Sequence, residues 1–219
     1  MISDLINLLF PRLCYICEAG LMPNEDNLCF ACKAILPQSK FPPSYNNPTA
    51  KVFRSRNNLN WGYSLMEFKT GGFSQKILHA LKYRNARSIT EGLINPEVFT
   101  PVFNAYPKPD LILPVPLHPR KLAMRGFNQA EAIGLTLQKE LGIKMNCECL
   151  RRNHFNKSQT KKNRFHRHAS SKNLFSYHGP APEHILLVDD VITTGATLHS
   201  ILDILPTQSQ FSIFTLARA

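Results

Sequence analysis

The segment from Ile185 to Leu198 constrains the fold of this chain more than any other stretch. It begins with an apolar run of strand length, which is typical of a strand buried on both faces of a parallel sheet. Two adjacent carboxylates, Asp189 and Asp190, follow the run, and a short Thr/Gly loop leads into the apolar pattern of a helix. Because open α/β sheets bind ligands at the carboxyl ends of their strands, the segment predicts an α/β fold with a ligand site.

The Thr/Gly loop predicts what kind of ligand binds there. Its backbone N–H groups and hydroxyls can face inward at a helix N-terminus, an arrangement that cradles phosphate. Asp189 and Asp190 would lie beside this cradle, suited to vicinal ribose hydroxyls and, through them, to a divalent metal. The alternative is an ordinary strand end followed by a helix-capping turn. The sugar-phosphate interpretation assigns the cradle to Thr193, Thr194, Gly195, Ala196 and Thr197.

This run closely resembles the signature with which type I phosphoribosyltransferases bind 5-phosphoribosyl-1-pyrophosphate (PRPP). The resemblance implies a Rossmann-like parallel sheet, PRPP as the ligand and Mg²⁺ as its companion cation. It indicates the ligand class more directly than the chemistry, because regulatory proteins also use this fold to bind without catalysing. The sequence identifies no catalytic residue.

A diphosphate ligand needs a second anion-binding loop, and residues 114–129 are the candidate. They connect one predicted strand to the following predicted helix and include Lys121 and Arg125. Arg125 offers phosphate a two-pronged guanidinium, and Gly126 lets the backbone approach a ligand closely. Alone, such a stretch is typical of a solvated surface; ahead of the acidic segment, it predicts a pyrophosphate loop. The Arg-Gly-Phe run also resembles the corresponding loop of adenine phosphoribosyltransferases.

Four of the six cysteines form a C-x2-C-x11-C-x2-C pattern, which consists of Cys14, Cys17, Cys29 and Cys32. Four thiolates at this spacing predict a closed, tetrahedral, structural Zn²⁺ site. A disulfide interpretation needs an oxidising compartment, and a redox C-x-x-C site would not require the second pair. Cys147 and Cys149 have no third ligand nearby in the sequence, and we interpret them as ordinary thiols.

The cysteine pattern and a proline-rich stretch divide the chain. We predict an N-terminal zinc-finger module at 1–36, a linker at 37–59 and a phosphoribosyltransferase-like domain at 60–219. Periodicity predicts strands and helices that alternate as in a parallel sheet. The predicted strands outside the acidic segment are 61–68, 110–115, 145–150, 174–177 and 211–217, and the predicted helices include 73–83 and 127–141.

The chain carries a net charge of +11, with 26 Lys and Arg residues against 15 Asp and Glu residues. Its basic block, residues 151–172, contains no carboxylate and interleaves Phe155 and Phe165 among basic side chains. This composition favours contact with single-stranded DNA, and the alternative is a solvated basic helix and loop. We assign nucleic-acid contact to Lys161, Lys162, Arg164 and Arg167.

Several further motifs together resemble one family, the ComF family, over essentially the full length. They are Leu9-Phe10-Pro11 before the cysteine pairs, Leu81-Lys82-Tyr83-Arg84, Val115-Pro116-Leu117-His118, Arg125-Gly126-Phe127-Asn128-Gln129, and the acidic segment itself. The resemblance implies a four-cysteine zinc module ahead of a type I phosphoribosyltransferase domain. It also implies a role in natural transformation, where incoming single-stranded DNA passes the inner membrane with the help of an uptake helicase or channel.

One segment departs from the ComF pattern. Gln159 and Arg167 fit it, whereas His166 stands where Glu is usual and Ser170 where Asn is usual. Leu174-Phe175 replaces the usual Ala-Phe. These departures raise the basicity of the block and alter whatever the replaced Glu and Asn do in relatives.

The sequence therefore supports two functional hypotheses. The first is a competence protein that handles single-stranded DNA and binds PRPP; the alternative is a catalytic phosphoribosyltransferase with an unidentified acceptor. The basic block favours the first, and a purely structural zinc adaptor would leave the acidic segment unexplained. No stretch approaches the roughly 18 apolar residues of a membrane span. We expect a cytoplasmic protein, in peripheral contact with the inner membrane if it serves DNA uptake.

Overall fold

The computed structural model describes residues 11–84, 86–153 and 174–219. The strands within these ranges are β1 Leu59–Glu67, β2 Leu111–Pro114, β3 Lys144–Met145, β4 Leu150–Arg152, β5 Phe175–Tyr177, β6 His184–Ile192 and β7 Gln210–Arg218. The helices are α1 Phe30–Ala34, α2 Pro48–Lys51, α3 Phe73–Tyr83, α4 Thr100–Ala105, α5 Pro119–Arg125, α6 Gln129–Leu141 and α7 Ala196–Leu202. Two 3₁₀ segments lie at Arg87–Gly92 and Pro96–Phe99.

Five strands form one parallel sheet in the order β1-β7-β6-β2-β3. From β2 the chain moves outward to β3, whereas from β6 it moves outward to β7 on the other side. The crevice at the carboxyl ends of β2 and β6 is therefore the topological switch point, where open α/β sheets bind ligands. The structure confirms the predicted α/β fold with a parallel sheet behind a four-cysteine cluster.

The prediction of one strand at 145–150 is wrong. β3 ends at Met145 in the main sheet, and β4 begins at Leu150 in a separate antiparallel pair with β5. The side chain of Asn146 causes the break, because its Oδ1 accepts hydrogen bonds from the backbone N–H groups of Glu148 and Cys149 at 2.8 and 2.9 Å. Such an Asx turn competes with continued strand pairing, and the periodicity of apolar residues does not reveal it.

The stretch 37–59 packs on the sheet over part of its length. Ser44 bridges Gly62 of β1, and helix α2 lies so close to Gly62 that a Cβ there would be 2.8 Å from the Ala50 nitrogen. Ala50 and Phe53 are fully buried. This segment therefore covers the otherwise unpaired edge of β1, which limits edge-to-edge association. The division into module, linker and domain stays a prediction.

Side chains of β6 alternate between the two faces of the sheet. Ile185 and Leu187 pack into one apolar cluster, and Leu186 and Val188 pack into the other. The second cluster also contains apolar residues of the four-cysteine module, such as Leu28. The module and the sheet therefore share a hydrophobic core, so that its cysteines have fixed positions relative to α3.

A buried histidine at the amino end of β6 makes folding pH-dependent. His184 is 2% exposed, and its ring nitrogens bond the Pro107 carbonyl and the Ser212 hydroxyl, both at 2.8 Å. Burial lowers the pKa of His184 below its ordinary value of 6.5, although the Pro107 carbonyl and Asp110 act in the opposite direction. The unfolded chain therefore takes up this proton at higher pH than the folded chain, so protonation favours unfolding.

We expect the free energy of unfolding to fall as the pH drops below about 6.5 and toward the lower folded-state pKa. Urea unfolding at pH 7.5 and 5.5 measures this decline. His184→Gln should lose part of the pH dependence even if it is less stable at both values, whereas His178→Gln, on an exposed residue, should retain it. An identical decline in His184→Gln and in the unmodified protein would contradict the role of His184.

Candidate functional site

The acidic pair lies at the switch point of the sheet. Strand β2 ends beside Val188, where Pro114 is its partner and the Val115 N–H donates to the Val188 carbonyl at 2.8 Å. Asp189 and Asp190 follow directly, so they begin where β2 no longer covers β6. The structure thus places both carboxylates in the crevice that the fold makes available to a ligand.

The two carboxylates have different electrostatic environments. The backbone N–H of Asp190 donates to Asp189 Oδ1 at 2.8 Å, while Lys82 Nζ lies 2.8 Å from Asp190 Oδ2. Desolvation of the Asp189 carboxyl, and next the charge of Asp190, raises the pKa of Asp189 to about 8. The Asp189 carboxyl therefore retains its proton far more readily than an ordinary aspartate, while Lys82 forms an ion pair with Asp190.

The Thr/Gly loop requires glycine at one position. Gly195 has φ +73°, and a Cβ there would lie 2.6 Å from Val52 Cγ1 and 3.1 Å from Phe53 Cζ. A residue with a Cβ at this position would have a strained backbone, and its side chain would clash with the segment that follows α2. Thr193 and Thr194 are exposed in the loop, as are Ala196 and Thr197 at the start of α7. All five predicted cradle residues are thus consecutive and lie beyond the carboxyl end of β6.

The second predicted loop forms a short helix that the sequence analysis did not predict. His118 caps α5, its Nδ1 accepting from the Arg120 N–H at 3.2 Å, and Gly126 ends the helix with φ +75°. Lys121 is exposed on α5. Arg125 donates from its Nη1 to Gln129 Oε1 at 2.8 Å, but its Nε is buried without a hydrogen-bond partner among the described residues. An anion bound beside Arg125 would satisfy this group.

Helix α3 contacts both halves of the candidate site. Lys82 pairs with Asp190, and the next residue, Tyr83, places its ring 5.6 Å from Arg125 Cζ. Both residues belong to the Leu81–Arg84 motif that contributes to the ComF resemblance. Lys82 is not among the site residues predicted from the sequence, although this motif was the available signal.

The four predicted cysteines come together as a potential metal centre. Their sulfur atoms all lie within 4.8 Å of one another, and the Cys17 and Cys29 sulfurs are 3.7 Å apart. Tetrahedral Zn²⁺ with Zn–S bonds of about 2.3 Å separates its ligand atoms by about 3.8 Å. Cys14 and Cys32 are buried, whereas Cys17 is exposed. The arrangement can hold a metal and fits a closed structural site.

Backbone N–H groups donate hydrogen bonds to two of the cysteine sulfurs. The N–H groups of Cys29 and Cys32 point at the Cys14 and Cys29 sulfurs, at 3.5 and 3.4 Å. Although burial alone would raise the pKa of Cys14, backbone hydrogen bonds outweigh it and lower that pKa to about 6. Burial raises the pKa of Cys32 above its ordinary range. One thiolate is thus preformed, and a bound cation would favour deprotonation of the others.

The four-cysteine module is fastened to α3 and to the residue that follows this helix. Lys76 Nζ donates to the Ile16 carbonyl at 3.3 Å, and Arg84 pairs with Glu18 at 2.9 Å. Glu18 is a non-glycine residue with φ +62°, a conformation uncommon for such residues. These contacts place the first cysteine pair along the same helix that carries Lys82.

The predicted nucleic-acid residues Lys161, Lys162, Arg164 and Arg167 lie outside the described residues, as do His166 and Ser170. Only Arg151, Arg152 and Asn153 of the basic block are described. Arg152 lies on β4 with its guanidinium carbon 5.4 Å from the centre of the Phe175 ring. Among the described residues, none of the helices combines the length and apolarity that a membrane span requires.

Comparison with known proteins gives distant relatives. No family model matches the chain. The DNA utilization protein YhgH of Escherichia coli O6:H1 (strain CFT073) is 25% identical over 209 residues, which cover 89% of this chain and 91% of the relative. YhgH of Salmonella typhi is 26% identical over 208 residues with the same coverage. Competence protein ComFC of Bacillus subtilis (strain 168) is 27% identical over 191 residues, covering 86% of this chain and 75% of the relative. These relatives support a relationship to the ComF family.

Proposed function

We propose that this protein handles incoming single-stranded DNA during natural transformation and binds PRPP at the switch point of its sheet. The names of the relatives, a DNA utilization protein and a competence protein, support the DNA role. Their alignments extend over most of this chain. A cytoplasmic location at the periphery of the inner membrane, beside an uptake helicase or channel, belongs to the same proposal.

The observation that carries the PRPP part is the acidic crevice at Asp189 and Asp190 together with an arginine at the end of α5, Arg125, whose Nε has no hydrogen-bond partner among the described residues. Asp189 and Asp190 would accept the ribose hydroxyls, and the loop from Thr193 to Thr197 would hold the 5-phosphate. Arg125, with its unpartnered Nε, and Lys121 would face the pyrophosphate, close to Gly126. The ribose hydroxyls would thus meet hydrogen-bond acceptors, and the pyrophosphate would meet positively charged side chains.

Metal ions enter the proposal in two separate places. Mg²⁺ is expected to accompany PRPP, and Asp189 and Asp190 are the residues that would hold it, through the ribose hydroxyls that they bind. When bound, Mg²⁺ supplies positive charge that offsets the pyrophosphate. The second ion is Zn²⁺ at the four cysteines, where the sulfur spacing fits its preferred tetrahedron. We assign zinc a structural role, because all four positions of the tetrahedron are taken by protein.

Single-stranded DNA binding is proposed for the basic block. Lys and Arg side chains of the block would track phosphates, and Phe155 or Phe165 would stack on bases. The charge of +11 on the whole chain would add a general attraction for nucleic acid. Sequence preference should be small, because phosphates and base faces are common to all sequences.

Changing Lys161, Lys162 and Arg164 together to alanine should weaken DNA binding and reduce its salt dependence. For single strands the slope of log affinity against log salt concentration is about −0.7 per phosphate contacted. The slope of the variant should therefore be shallower by the amount that two to three phosphate contacts contribute. Fluorescence anisotropy with a single-stranded oligonucleotide at several salt concentrations measures this. PRPP binding should be unchanged.

The matched control replaces Lys51, Lys139 and Lys144, three exposed lysines elsewhere, and removes the same amount of charge. It should retain most of the slope. Equal slopes in both variants would support the solvated-surface alternative. Loss of PRPP affinity in the first variant would instead assign the block to the metabolite site. Transformation frequency in cells provides the corresponding functional measurement.

A further inference from the structure

A groove of about 420 Å³ lies between helix α6 and the 3₁₀ segment Arg87–Gly92. Two buried threonines, Thr90 and Thr136, contribute to its floor, and their hydroxyl oxygens are 2.7 Å apart. Phe127 and Ala132, which are both buried, add apolar surface. None of the residues predicted to bind PRPP lines this groove, so it is a separate feature of the surface.

Leu135 is an exposed apolar residue at this groove, in the middle of α6. It is 57% exposed, which alone is ordinary for a leucine on a protein surface. The residues around it are arranged as a set, because positions i, i+3, i+4 and i+7 of the helix all line the groove. They are Ala132, Leu135, Thr136 and Lys139. Four residues at this spacing form the hole that receives a side chain from a facing helix.

The charges around the groove are balanced, unlike those of the chain. Arg87 and Lys139 are its basic residues, and Glu91 and Glu131 are its acidic residues. The whole chain has a net charge of +11, so two copies repel each other over most of their surfaces. A locally neutral groove attracts neither DNA nor an anionic membrane. It is a place where a second copy can approach without this repulsion.

The charges on α6 are also symmetric about Leu135. Glu131 lies four residues before it and Lys139 four residues after it, so all three share one face of the helix. At a rise of about 1.5 Å per residue, each charge is about 6 Å from Leu135 along the axis. In the described part of the chain, neither charged group forms an ion pair, and Glu131 accepts only from Asn128 Nδ2 at 3.2 Å.

This symmetry matches a two-fold axis. If a second α6 packs antiparallel on the first with the axis at Leu135, Glu131 of each copy faces Lys139 of the other. The same opposite-charge contact then occurs twice, which is the self-complementarity that a two-fold interface requires. Antiparallel packing also brings opposite ends of the two helix dipoles together.

We propose that two copies of this chain associate through α6 as a two-fold dimer, with Leu135 of each copy inserted into the groove of the other. This inference goes beyond the proposed function and requires neither PRPP nor DNA binding. The contact involves one helix and the segment beside it, so the dimer is weak and reversible. A short oligonucleotide that accommodates only one chain keeps the DNA-binding measurement, and its Lys139 control, independent of this equilibrium.

The interface adjoins the second anion-binding loop. Arg87 lines the groove, donates from its Nη2 to the Gly126 carbonyl at 3.2 Å, and has its guanidinium carbon 4.6 Å from the centre of the Phe127 ring. Contact with a second copy would restrict the Arg87 side chain. Association is therefore expected to restrict the end of α5 as well.

Sedimentation velocity of the full chain at about 1–300 μM should show a monomer–dimer equilibrium, the behaviour of a small transient interface. Leu135→Asp should raise the dissociation constant by about 30-fold or more, as expected for a residue at the centre of an interface. The variant should remain folded, because Leu135 is exposed. Gln208→Asp, which adds the same charge at an exposed position outside the groove, is the control and should retain the dimer.

Charge exchange tests the two-fold pairing itself. Glu131→Lys or Lys139→Glu alone turns both opposite-charge contacts into like-charge contacts and should weaken the dimer about fivefold or more. Both substitutions in one chain restore opposite charges at both contacts, so the double variant should dimerise again. An equimolar mixture of the two single variants should form heterodimers, because each contact then joins opposite charges.

Each other outcome would overturn the proposal. A chain that stays monomeric over the whole concentration range has no such interface. A dimer that survives Leu135→Asp, or that Gln208→Asp weakens equally, uses a different surface. If neither the double variant nor the mixture associates, α6 does not pair with itself in the antiparallel arrangement. Capture of a different protein by the monomer, lost in Leu135→Asp, would assign the groove to that partner instead of a second copy.

Discussion

Cys29→Ser is expected to release about one Zn²⁺ per chain and to make the four-cysteine module sensitive to protease. Structural zinc contributes an apparent binding free energy of about 10–16 kcal/mol in small zinc modules, and that energy is folding energy. The module here is too short to hold a hydrophobic core alone, so it depends on the metal and on the core that it shares with the sheet. We therefore expect the largest structural effect of any single substitution at these four cysteines.

The sheet should remain folded in this variant. Its two apolar clusters consist mostly of side chains from the strands and from α3, α6 and α7, which the cysteine ligands do not hold in place. Limited proteolysis followed by mass spectrometry should show cleavage confined to the module. Cys147→Ser, which removes an exposed thiol outside the cluster, is the control. This variant should retain both the bound metal and the resistance of the module to protease. Absence of zinc from the intact protein under reducing conditions would contradict the assignment.

Local patterns predicted the parts of the fold and site that depend on neighbouring residues. The apolar run and Thr/Gly loop around Asp189 form one strand, turn and helix, and the cysteine spacing brings four sulfurs together. Each feature follows from backbone geometry within one short segment, so the apolar run reveals the first and the spacing of the cysteines reveals the second. The strand at 145–150 was the exception, because the side chain of Asn146 ends β3 by a specific hydrogen bond.

Features that join distant segments were not predictable in the same way. Lys82 meets Asp190 only because α3 crosses the carboxyl edge of the sheet, and no local pattern encodes that crossing. The cleft between Tyr15 and Cys17 of the module and Gln75 and His79 of α3 likewise needs both elements in place. Helix α5 was missed because it is short and has no buried residue, and therefore no apolar periodicity.

Replacing Asp189 and Asp190 together with asparagine should abolish most PRPP binding without unfolding the protein. A hydrogen bond to a charged group contributes about 1.5–3 kcal/mol, so at pH 9, above the Asp189 pKa of about 8, loss of both carboxylates should weaken the affinity ~100-fold or more. Calorimetry with PRPP and Mg²⁺ measures the effect. The matched control, Glu140→Gln with Glu183→Gln, removes two exposed carboxylates and should bind as the unmodified protein does. Unchanged affinity in the aspartate double variant would contradict the proposed site.

Asp189 also gives stability a pH dependence of predictable sign. Its pKa is raised from 3.8 to about 8. Between these two pH values the folded state keeps a proton on Asp189 that the unfolded state has lost. The carboxyl group thus opposes folding increasingly as the pH rises from about 4 to 8. Asp189→Asn should therefore stabilise the empty protein more at pH 9 than at pH 5, as measured by thermal unfolding.

The same protonation should control ligand binding. A ribose diol or Mg²⁺ that needs an ionised Asp189 must displace its proton at pH 7, so PRPP affinity should rise between pH 7 and 9 and level off above the pKa of about 8. Asp189→Asn should bind more weakly and show a flatter profile over this range. Lys82→Met should shift the rise to higher pH, because the Lys82 ammonium opposes proton retention by the pair. A profile that is equally steep in Asp189→Asn would assign the titration to another group and remove Asp189 from ligand binding.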